Sequence, residues 1–254
     1  MKTPLVCLHG FMESRHTWDL VMPALERVHD VLAPALPGHV GGPSLDGRVG
    51  DRLMADAVER AMDDAGMASA HITGNSLGGF VALQLAERGR ARSVTALAPA
   101  GGWAPGNGAP RPLLEFQRDL HESVRATGAF ADAIAATPEG RRRATELLTV
   151  EYEHIPPELV ADLITAAAAS DAQPLIDYAL GSDWPLDFAR IDCPVRIVWG
   201  TEDRLLPWPS AAERFRSGLP RADWVELEGV GHTPQLDVPL VTAQLIAGFA
   251  AQFD

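Results

Sequence analysis

The residues best suited to chemistry begin with a serine in a short turn bounded by glycines. Residues 74–78 read Gly-Asn-Ser-Leu-Gly and stand between the short apolar run ending at Thr73 and the long apolar run from Phe80. This pattern between a strand and a helix is typical of a nucleophile elbow, in which a strained backbone lifts the serine hydroxyl clear of the chain. A chain of this size contains the bare pattern by chance about one time in ten. Ser76 therefore becomes a candidate nucleophile only if the rest of the chain supplies its partners.

A serine hydroxyl needs a base within hydrogen-bond reach, and the base needs an acid that orients it. Asp203 and His232 follow Ser76 in the order serine, acid, histidine, and each comes just after an apolar run that reads as a strand. Because the carboxyl ends of parallel strands meet at one edge of a sheet, we expect the three side chains to converge. Asp183 is the main rival for the role of the acid.

The elements that must position these residues alternate between strands and helices. We predict strands at six runs, 5–8, 31–33, 71–73, 93–97, 195–199 and 223–227. Helices are predicted at 14–28, 51–64, 77–88, 211–217 and 239–249. Alternation at this spacing predicts an α/β fold with a mostly parallel, doubly wound sheet of about six strands.

The alternation stops between Trp103 and Trp184, where no run reads as a strand. A turn-rich linker at 101–110 opens this segment. Four helices are predicted after it, at about 112–126, from Pro138 with Thr137 as its N-cap, from 157 to 169, and around 175–180. We therefore expect an inserted all-helical cap at 103–185, with the α/β core formed by 1–102 and 186–254.

The composition restricts the partners that the protein can have. The chain has 254 residues, is 46% hydrophobic and carries a net charge of -13, which argues against nucleic acid or an anionic membrane as a partner. No apolar run reaches the roughly 20 residues that span a bilayer, and Pro4 and His9 interrupt any signal-type core. We expect a cytoplasmic protein with a small-molecule substrate, and a homodimer is one possible assembly. Cys7 and Cys193 are expected to be buried, reduced thiols.

The sequence offers no pattern for a cofactor. No set of histidine, cysteine, aspartate and glutamate residues has the spacing of metal ligands. The glycine-rich and proline-rich loop at 34–43 lacks the full dinucleotide-binding pattern. We therefore predict no metal and no cofactor.

Five segments together resemble the signatures of the α/β-hydrolase superfamily. They are His9-Gly10-Phe11, Pro37-Gly38-His39, Gly74 to Gly79, Trp199-Gly200-Thr201-Glu202-Asp203 and Gly231-His232-Thr233-Pro234. The resemblance covers the chain outside the cap and is specific for the fold and for a catalytic triad, but not for a substrate. It implies that Ser76 is the nucleophile, His232 the general base and then general acid, and Asp203 the orienting acid. It also implies that the backbone N–H groups of Phe11 and Leu77 form the oxyanion hole.

The chain departs from this family pattern in two places. Only three residues precede Pro4, so we expect the sheet to lack the N-terminal antiparallel hairpin that many relatives carry. The oxyanion segment is His9-Gly10-Phe11 instead of a glycine triplet, which in the family accompanies bulky esters of tertiary alcohols. Activity on such esters is therefore not expected.

The predicted function is hydrolysis of a small to medium carboxylic ester through an acyl-enzyme intermediate. A serine nucleophile argues against dehalogenation and epoxide opening, which use an aspartate in this superfamily. The alternatives are a carbon–carbon bond hydrolase acting on ring-fission dienones, whose elbow is similar, and a lyase such as a hydroxynitrile lyase. A catalytically idle protein that binds a small ligand is the alternative outside enzymes.

The cap is expected to set the specificity by covering an apolar pocket. The candidates for its lining are His9, which is also expected to shape the oxyanion loop, and Trp103, Phe116, Leu120, Phe130, Trp184 and Trp208.

Overall fold

A computed structural model describes residues 2–45, 49–103 and 111–254, and its centre is a six-stranded sheet in which every pairing is parallel. The strands are β1 (Thr3–Leu8), β2 (His29–Leu32), β3 (Ala70–Asn75), β4 (Ala91–Leu97), β5 (Val195–Gly200) and β6 (Asp223–Leu227). Their spatial order is β2-β1-β3-β4-β5-β6. The predicted six-stranded parallel sheet is confirmed.

The burial of each strand follows from its place in the sheet. Every residue of the central strand β3 is buried, whereas the edge strand β6 exposes Asp223 and Glu226. Strands covered on both faces read as continuous apolar runs, and an edge strand tolerates polar positions. The apolar runs in the sequence therefore marked the central strands correctly.

Helices cover both faces of the sheet. They are α1 (Met22–Leu25), α2 (Leu53–Asp64), α3 (Leu77–Glu87), α4 (Arg111–Thr127), α5 (Ala131–Ala135), α6 (Pro138–Thr145), α7 (Pro157–Ala169), α8 (Ala172–Gly181), α9 (Glu213–Gly218), α10 (Pro234–Asp237) and α11 (Pro239–Ala250). One core cluster joins α2 and α3 to the sheet and includes Met62, Leu83 and Ile72. A second cluster on the other face contains Trp18 and Ile246.

The prediction of one helix over 14–28 is wrong. The chain forms a short 3-10 turn at Arg15–Trp18 and then the single turn α1. Pro23 supplies no N–H and stands at the start of α1, where that loss is tolerated, so it favours a new helix start over a continuous helix. Ser14 caps the first turn as expected, since its Oγ accepts a hydrogen bond from the N–H of His16.

In the described part of the chain between β4 and β5, all regular elements are helices. Helix α6 begins as predicted, because Thr137 accepts a hydrogen bond from the N–H of Gly140 and Pro138 follows it. The short helix α5 was not foreseen. Residues 104–110 of the predicted linker lie outside the described residues, and the cap boundaries at 103 and 185 stay a prediction.

Both cysteines are free thiols, Cys7 buried and Cys193 half-buried. Among the described residues, no single helix is long and apolar enough to cross a membrane. The bent pair α7 and α8 passes that test by length and composition only when the two helices are taken together.

Candidate active site

Ser76 occupies the tip of a strained turn between β3 and α3. Its backbone has φ 52° and ψ -116°, a region that residues other than glycine seldom adopt. The turn is fixed by its backbone, because the N–H of Ser76 donates to Leu97 O at 2.9 Å and Ser76 O accepts from the N–H of Ala100 at 2.9 Å. The side chain is half-buried at the N-terminus of α3. This geometry is that of the predicted elbow.

Two glycines make the turn possible. A Cβ on Gly74 would lie 2.2 Å from the carbonyl oxygen of Gly78, and one on Gly78 would lie 2.2 Å from the carbonyl oxygen of Leu8. No side chain fits at such distances, so only glycine lets α3 approach β3 and β1 this closely. The spacing of the two glycines in the sequence is therefore a packing requirement of the elbow.

His232 and Asp203 form a buried pair. Nδ1 of His232 lies 2.7 Å from Oδ2 of Asp203. The other carboxylate oxygen of Asp203 accepts hydrogen bonds from the N–H groups of Leu205 at 2.9 Å and Leu206 at 2.7 Å. With Nδ1 held by the carboxylate, Nε2 is left to accept a proton. Asp183, the rival acid, is exposed.

A second carboxyl group, Glu13, faces His232 from the loop after β1. Burial lowers the pKa of His232, but the charge and hydrogen bond of Asp203 together with the charge of Glu13 raise it above its usual value. Burial also raises the pKa of Glu13, against the opposing effects of the Gly10 N–H, the charge of His232 and the Thr17 hydroxyl. Glu13 Oε2 accepts the N–H of Gly10 at 3.0 Å. No sequence pattern marks Glu13, because its role depends on its approach to His232 from a loop far away in the chain.

The two predicted oxyanion donors lie at the same site. Phe11 and Leu77 both line the cavity that contains Ser76 and His232. Leu77 is the first residue of α3, where the backbone N–H has no partner within the helix. Neither N–H donates to a described residue. Among the described residues, both N–H groups are therefore without an acceptor.

Two buried histidines hold the loop that carries Phe11. Nε2 of His9 accepts the N–H of Leu36 at 3.0 Å, and Nε2 of His39 accepts the N–H of Met12 at 3.1 Å. Each ring therefore carries its proton on Nδ1, which donates to a backbone carbonyl. Burial is the main cause that lowers the pKa of His9 to about 3 and that of His39 to about 4. Both rings are therefore neutral, and their hydrogen bonds hold the backbone around Phe11 in place.

Asn75 connects the elbow to the histidine loop. Its Nδ2 donates to the carbonyl oxygens of Leu97 at 3.1 Å and His232 at 3.0 Å, and its Oδ1 accepts from Gln235 Nε2 at 3.1 Å. Gln235 also donates to Thr17 Oγ1 at 3.2 Å. Hydrogen bonds thus run without a break from the strand that precedes Ser76 to the backbone of His232.

Asp237 connects the histidine loop to the cap. Its buried carboxylate accepts three backbone N–H groups, from Gly231 at 2.6 Å, Val150 at 3.0 Å and Glu151 at 2.9 Å. Thr233 adds two hydrogen bonds to the carbonyl oxygen of Leu148, each 2.9 Å long. The cap segment 148–151 is therefore attached to the residues on either side of His232.

A largely apolar cavity opens beside Ser76. It contains about 920 Å³ of non-atom space, open solvent at its mouth included. Its apolar wall comes from the core and from the cap helices α4 and α8. The main contributors are Leu53, Met54, Phe80, Val81, Trp103, Leu113, Leu114, Leu175, Ile176, Ala179, Trp184, Leu205 and Leu206.

Of the seven predicted pocket residues, Trp103 and Trp184 line this cavity, and five do not. His9 is fully buried behind the loop that carries Phe11. On α4, Leu113, Leu114 and Gln117 face the cavity, so Phe116 is 43% exposed on another face and Leu120 packs against the core. Phe130 is 64% exposed, and Trp208 packs against Trp199 and Trp224. The prediction favoured aromatic side chains, whereas helix faces with aliphatic residues at spacings of three and four form most of the wall.

Within residues 2–45, 49–103 and 111–254, no group of three histidine, cysteine, aspartate or glutamate side chains could hold a metal ion.

The sequence profile of the alpha/beta hydrolase family matches residues 5–245. The chain belongs to this family. The six parallel strands, the turn at Ser76 and the helices between β4 and β5 agree with membership of this family.

Two relatives of this hydrolase have different activities. The epoxide hydrolase EphH of Mycobacterium tuberculosis is 31% identical over 199 residues, which cover 78% of this chain and 93% of that protein. A pimeloyl-[acyl-carrier protein] methyl ester esterase of Aromatoleum aromaticum is 31% identical over 263 residues, covering 95% and 96%.

A solved structure agrees with the fold of this hydrolase. The thermophilic esterase of Thermogutta terrifontis superimposes with a TM-score of 0.74 at 21% identity, over all of this chain and 91% of the other. Family membership and these relatives support hydrolysis as the class of reaction.

Proposed function

We propose that this hydrolase cleaves a small to medium carboxylic ester through an acyl-enzyme intermediate on Ser76. The observation that carries the proposal is the arrangement at one cavity: Ser76 at the positive-φ turn, and His232 with Nδ1 held 2.7 Å from Asp203. A serine, a histidine and a carboxylate in this relation are the parts of nucleophilic acyl transfer.

Each group then has a defined task. Nε2 of His232 takes the proton of the Ser76 hydroxyl as Oγ attacks the ester carbonyl, and Asp203 stabilises the imidazolium that results. The N–H groups of Phe11 and Leu77 donate to the oxygen anion, each typically contributing about 3 kcal/mol to transition-state stabilisation. His232 returns the proton to the leaving alcohol. Water activated by His232 then hydrolyses the acyl-enzyme.

Epoxide hydrolysis, the activity in the name of EphH, is less compatible with Ser76. Attack of a serine oxygen on an epoxide carbon would leave an ether, which has no carbonyl for water to attack. An ester formed on Ser76 has such a carbonyl. The esterase relative from Aromatoleum aromaticum supports the same choice.

A labelling experiment tests the nucleophile. A fluorophosphonate probe should label the wild-type protein and fail to label Ser76→Ala, while Ser76→Ala keeps the same circular dichroism and melting temperature. A wild-type protein that is not labelled and hydrolyses nothing would support the idle binding protein instead. Full activity in Ser76→Ala would overturn the proposal.

A substrate panel tests the reaction. p-Nitrophenyl esters of increasing acyl length should be hydrolysed, with an optimum at small to medium chains, and a ring-fission dienone run beside them should not. Turnover of the dienone alone would favour carbon–carbon bond hydrolysis, the runner-up, which is supported by the Gly-Asn-Ser-Leu-Gly-Gly sequence of the elbow.

A further inference from the structure

The cavity changes character along helix α3. Leu77, Phe80 and Val81 line it near the nucleophile, and the next lining residue on this helix is Gln84. Gln84 is only 6% exposed on a helix whose other buried residues are glycine or apolar. It lies eight residues after Ser76, a rise of about 12 Å along a helix. A polar group therefore stands at the end of the cavity farthest along α3 from the reacting serine.

Only one end of the side-chain amide of Gln84 is paired within the described part of the protein. Its Nε2 donates to the backbone carbonyl of Asp51 at 2.9 Å, whereas its Oε1 accepts no hydrogen bond from a described residue. This oxygen is not among the fully buried atoms that lack a partner, so it is open to the cavity, where a water molecule or a ligand can donate to it. Gln84 thus presents an acceptor.

Three further polar residues beside Gln84 are linked by hydrogen bonds. Ser182 Oγ lies 3.2 Å from Asp51 Oδ1 and 3.1 Å from the hydroxyl of Tyr178, and it accepts the N–H of Trp184 at 3.0 Å. A serine hydroxyl has one proton and a carboxylate only accepts. Ser182 therefore donates to Asp51, and the hydroxyl of Tyr178 donates to Ser182.

We call Asp51, Gln84, Tyr178 and Ser182 the distal polar cluster. Both of its hydroxyl protons are used inside the cluster, and what it leaves for a ligand is mainly acceptors: Oε1 of Gln84, the remaining lone pairs of the Asp51 carboxylate and the oxygen of Tyr178. Asp51 is the only carboxylate among the described residues that line the cavity, and it is exposed, so solvent weakens the effect of its charge. Such a set complements a donor, and its negative charge opposes a carboxylate.

We infer that the distal polar cluster binds a hydrogen-bond donor, a hydroxyl or an ammonium group, at the far end of a substrate whose apolar chain lies along α3. The inference rests on the proposed function for the ester at the near end. It assigns this site a substrate class: esters with an apolar chain that ends in a hydroxyl or an amine, in preference to a methyl or a carboxylate.

Two families of esters test the substrate class. The first consists of p-nitrophenyl octanoates that end in methyl, hydroxyl, amino or carboxylate, and the second of octyl acetates with the same four ends. In the family whose chain enters the cavity, kcat/KM for the hydroxyl and amino ends should exceed that for the methyl end by about threefold to tenfold, the effect of one net hydrogen bond. The carboxylate end should be the poorest.

Variants identify the residues responsible. Gln84→Met keeps the length of the side chain and should remove the preference for hydroxyl over methyl. Asp51→Asn should remove the preference for amine over hydroxyl and improve the carboxylate. Gln117→Met is the matched control, because Gln117 lines the cavity from α4 without a hydrogen bond to the cluster, so both ratios should stay as in the wild type. Tyr178→Phe, which removes one hydroxyl at a half-buried position, gives a milder second test if Gln84→Met folds poorly.

A binding measurement separates this inference from the proposed function. Octane-1,8-diol should bind the wild-type protein and Ser76→Ala more tightly than octan-1-ol in calorimetry, and Gln84→Met should abolish the difference. Hydrolysis of the plain octanoate without any preference for a donor, and equal binding of the two alcohols, would overturn the distal site and leave the esterase proposal standing. A preference in binding without ester hydrolysis would do the reverse.

Discussion

The side-chain amide of Asn75 donates a hydrogen bond to the backbone carbonyl of His232 across 3.0 Å. The residue beside the nucleophile therefore holds the residue proposed as its base. A single carboxamide thus ties the end of β3 to the loop of His232, 157 positions further along the chain.

Replacing Asn75 should lower kcat more than it changes KM. Asn75→Asp would set a carboxylate against the carbonyl oxygens of Leu97 and His232, and a shift of about 1 Å in a catalytic group can lower the rate about 10²-fold. Steady-state kinetics on a p-nitrophenyl ester measures the effect. Thr73→Ala is the control, because Thr73 makes a similar buried bond from β3 to Thr95 O and has no bond to His232. Equal losses of kcat in both variants would refute the positioning role of Asn75.

Glu13→Gln should move the acid limb of the pH–rate profile to lower pH. His232 acts as a base only when neutral, and the negative charge of Glu13 is one of the causes that raise its pKa, together with Asp203. Glutamine keeps an acceptor for the N–H of Gly10 but removes the charge. The measurement is kcat/KM against pH for both proteins.

The control for that profile is Glu228→Gln, which removes an exposed charge four residues before His232 and should leave the limb in place. An acid limb that does not move in Glu13→Gln would show that Glu13 is uncharged when His232 titrates, contrary to this prediction.

Asp237→Asn should destabilise the protein and reduce its activity together. The carboxamide can accept fewer than the three N–H groups that converge on Asp237, and a buried donor left without an acceptor costs about 1–3 kcal/mol. Urea unfolding gives the loss of stability. In Asp187→Asn, an exposed residue that accepts one N–H from Ala189, the loss should be about 1 kcal/mol or less. A similar stability loss in the two variants would contradict the role given to Asp237.

Two glycine substitutions should have opposite effects on stability. Gly78→Ala forces a Cβ against the carbonyl oxygen of Leu8. It should lower the free energy of unfolding by about 1–3 kcal/mol or more, since that is the usual cost of overpacking. Gly248→Ala, on the exposed face of α11 with nothing within 4 Å, should raise it by about 0.5–1 kcal/mol. Melting temperatures of both variants decide this, and a neutral Gly78→Ala would show that α3 can move away from β1.

The sheet and the elbow could be predicted because their signals are local. A buried parallel strand needs a continuous apolar run, and the tight turn at Ser76 needs glycine at 74 and 78. Ser76, Asp203 and His232 follow the parallel strands β3, β5 and β6, which predicted that they would lie close together. Ser76 and His232 line one cavity, and His232 is bonded to Asp203. None of these inferences required knowledge of a contact between loops.

The supporting residues and the pocket could not be predicted in the same way. Glu13, Asn75 and Asp237 act through hydrogen bonds to backbone groups far along the chain, and no sequence pattern marks such partners. The pocket prediction relied on side-chain type, whereas the orientation of α4 decides that Gln117 faces the cavity and Phe116 faces solvent.

The attachment of segment 148–151 to the loop of His232 limits how this hydrolase can be recombined with its relatives. Asp237 accepts hydrogen bonds from Val150 and Glu151, and Thr233 donates to Leu148. The inner edge of the cap is therefore held by the same loop that carries His232. A chimera that takes the whole predicted cap, residues 103–185, from another parent would separate Asp237 from its donors Val150 and Glu151. The loop of His232 would then lose part of its support. Crossovers that carry residues 148–151 and 231–237 from the same parent keep the base supported, so the interchangeable unit is smaller than the cap.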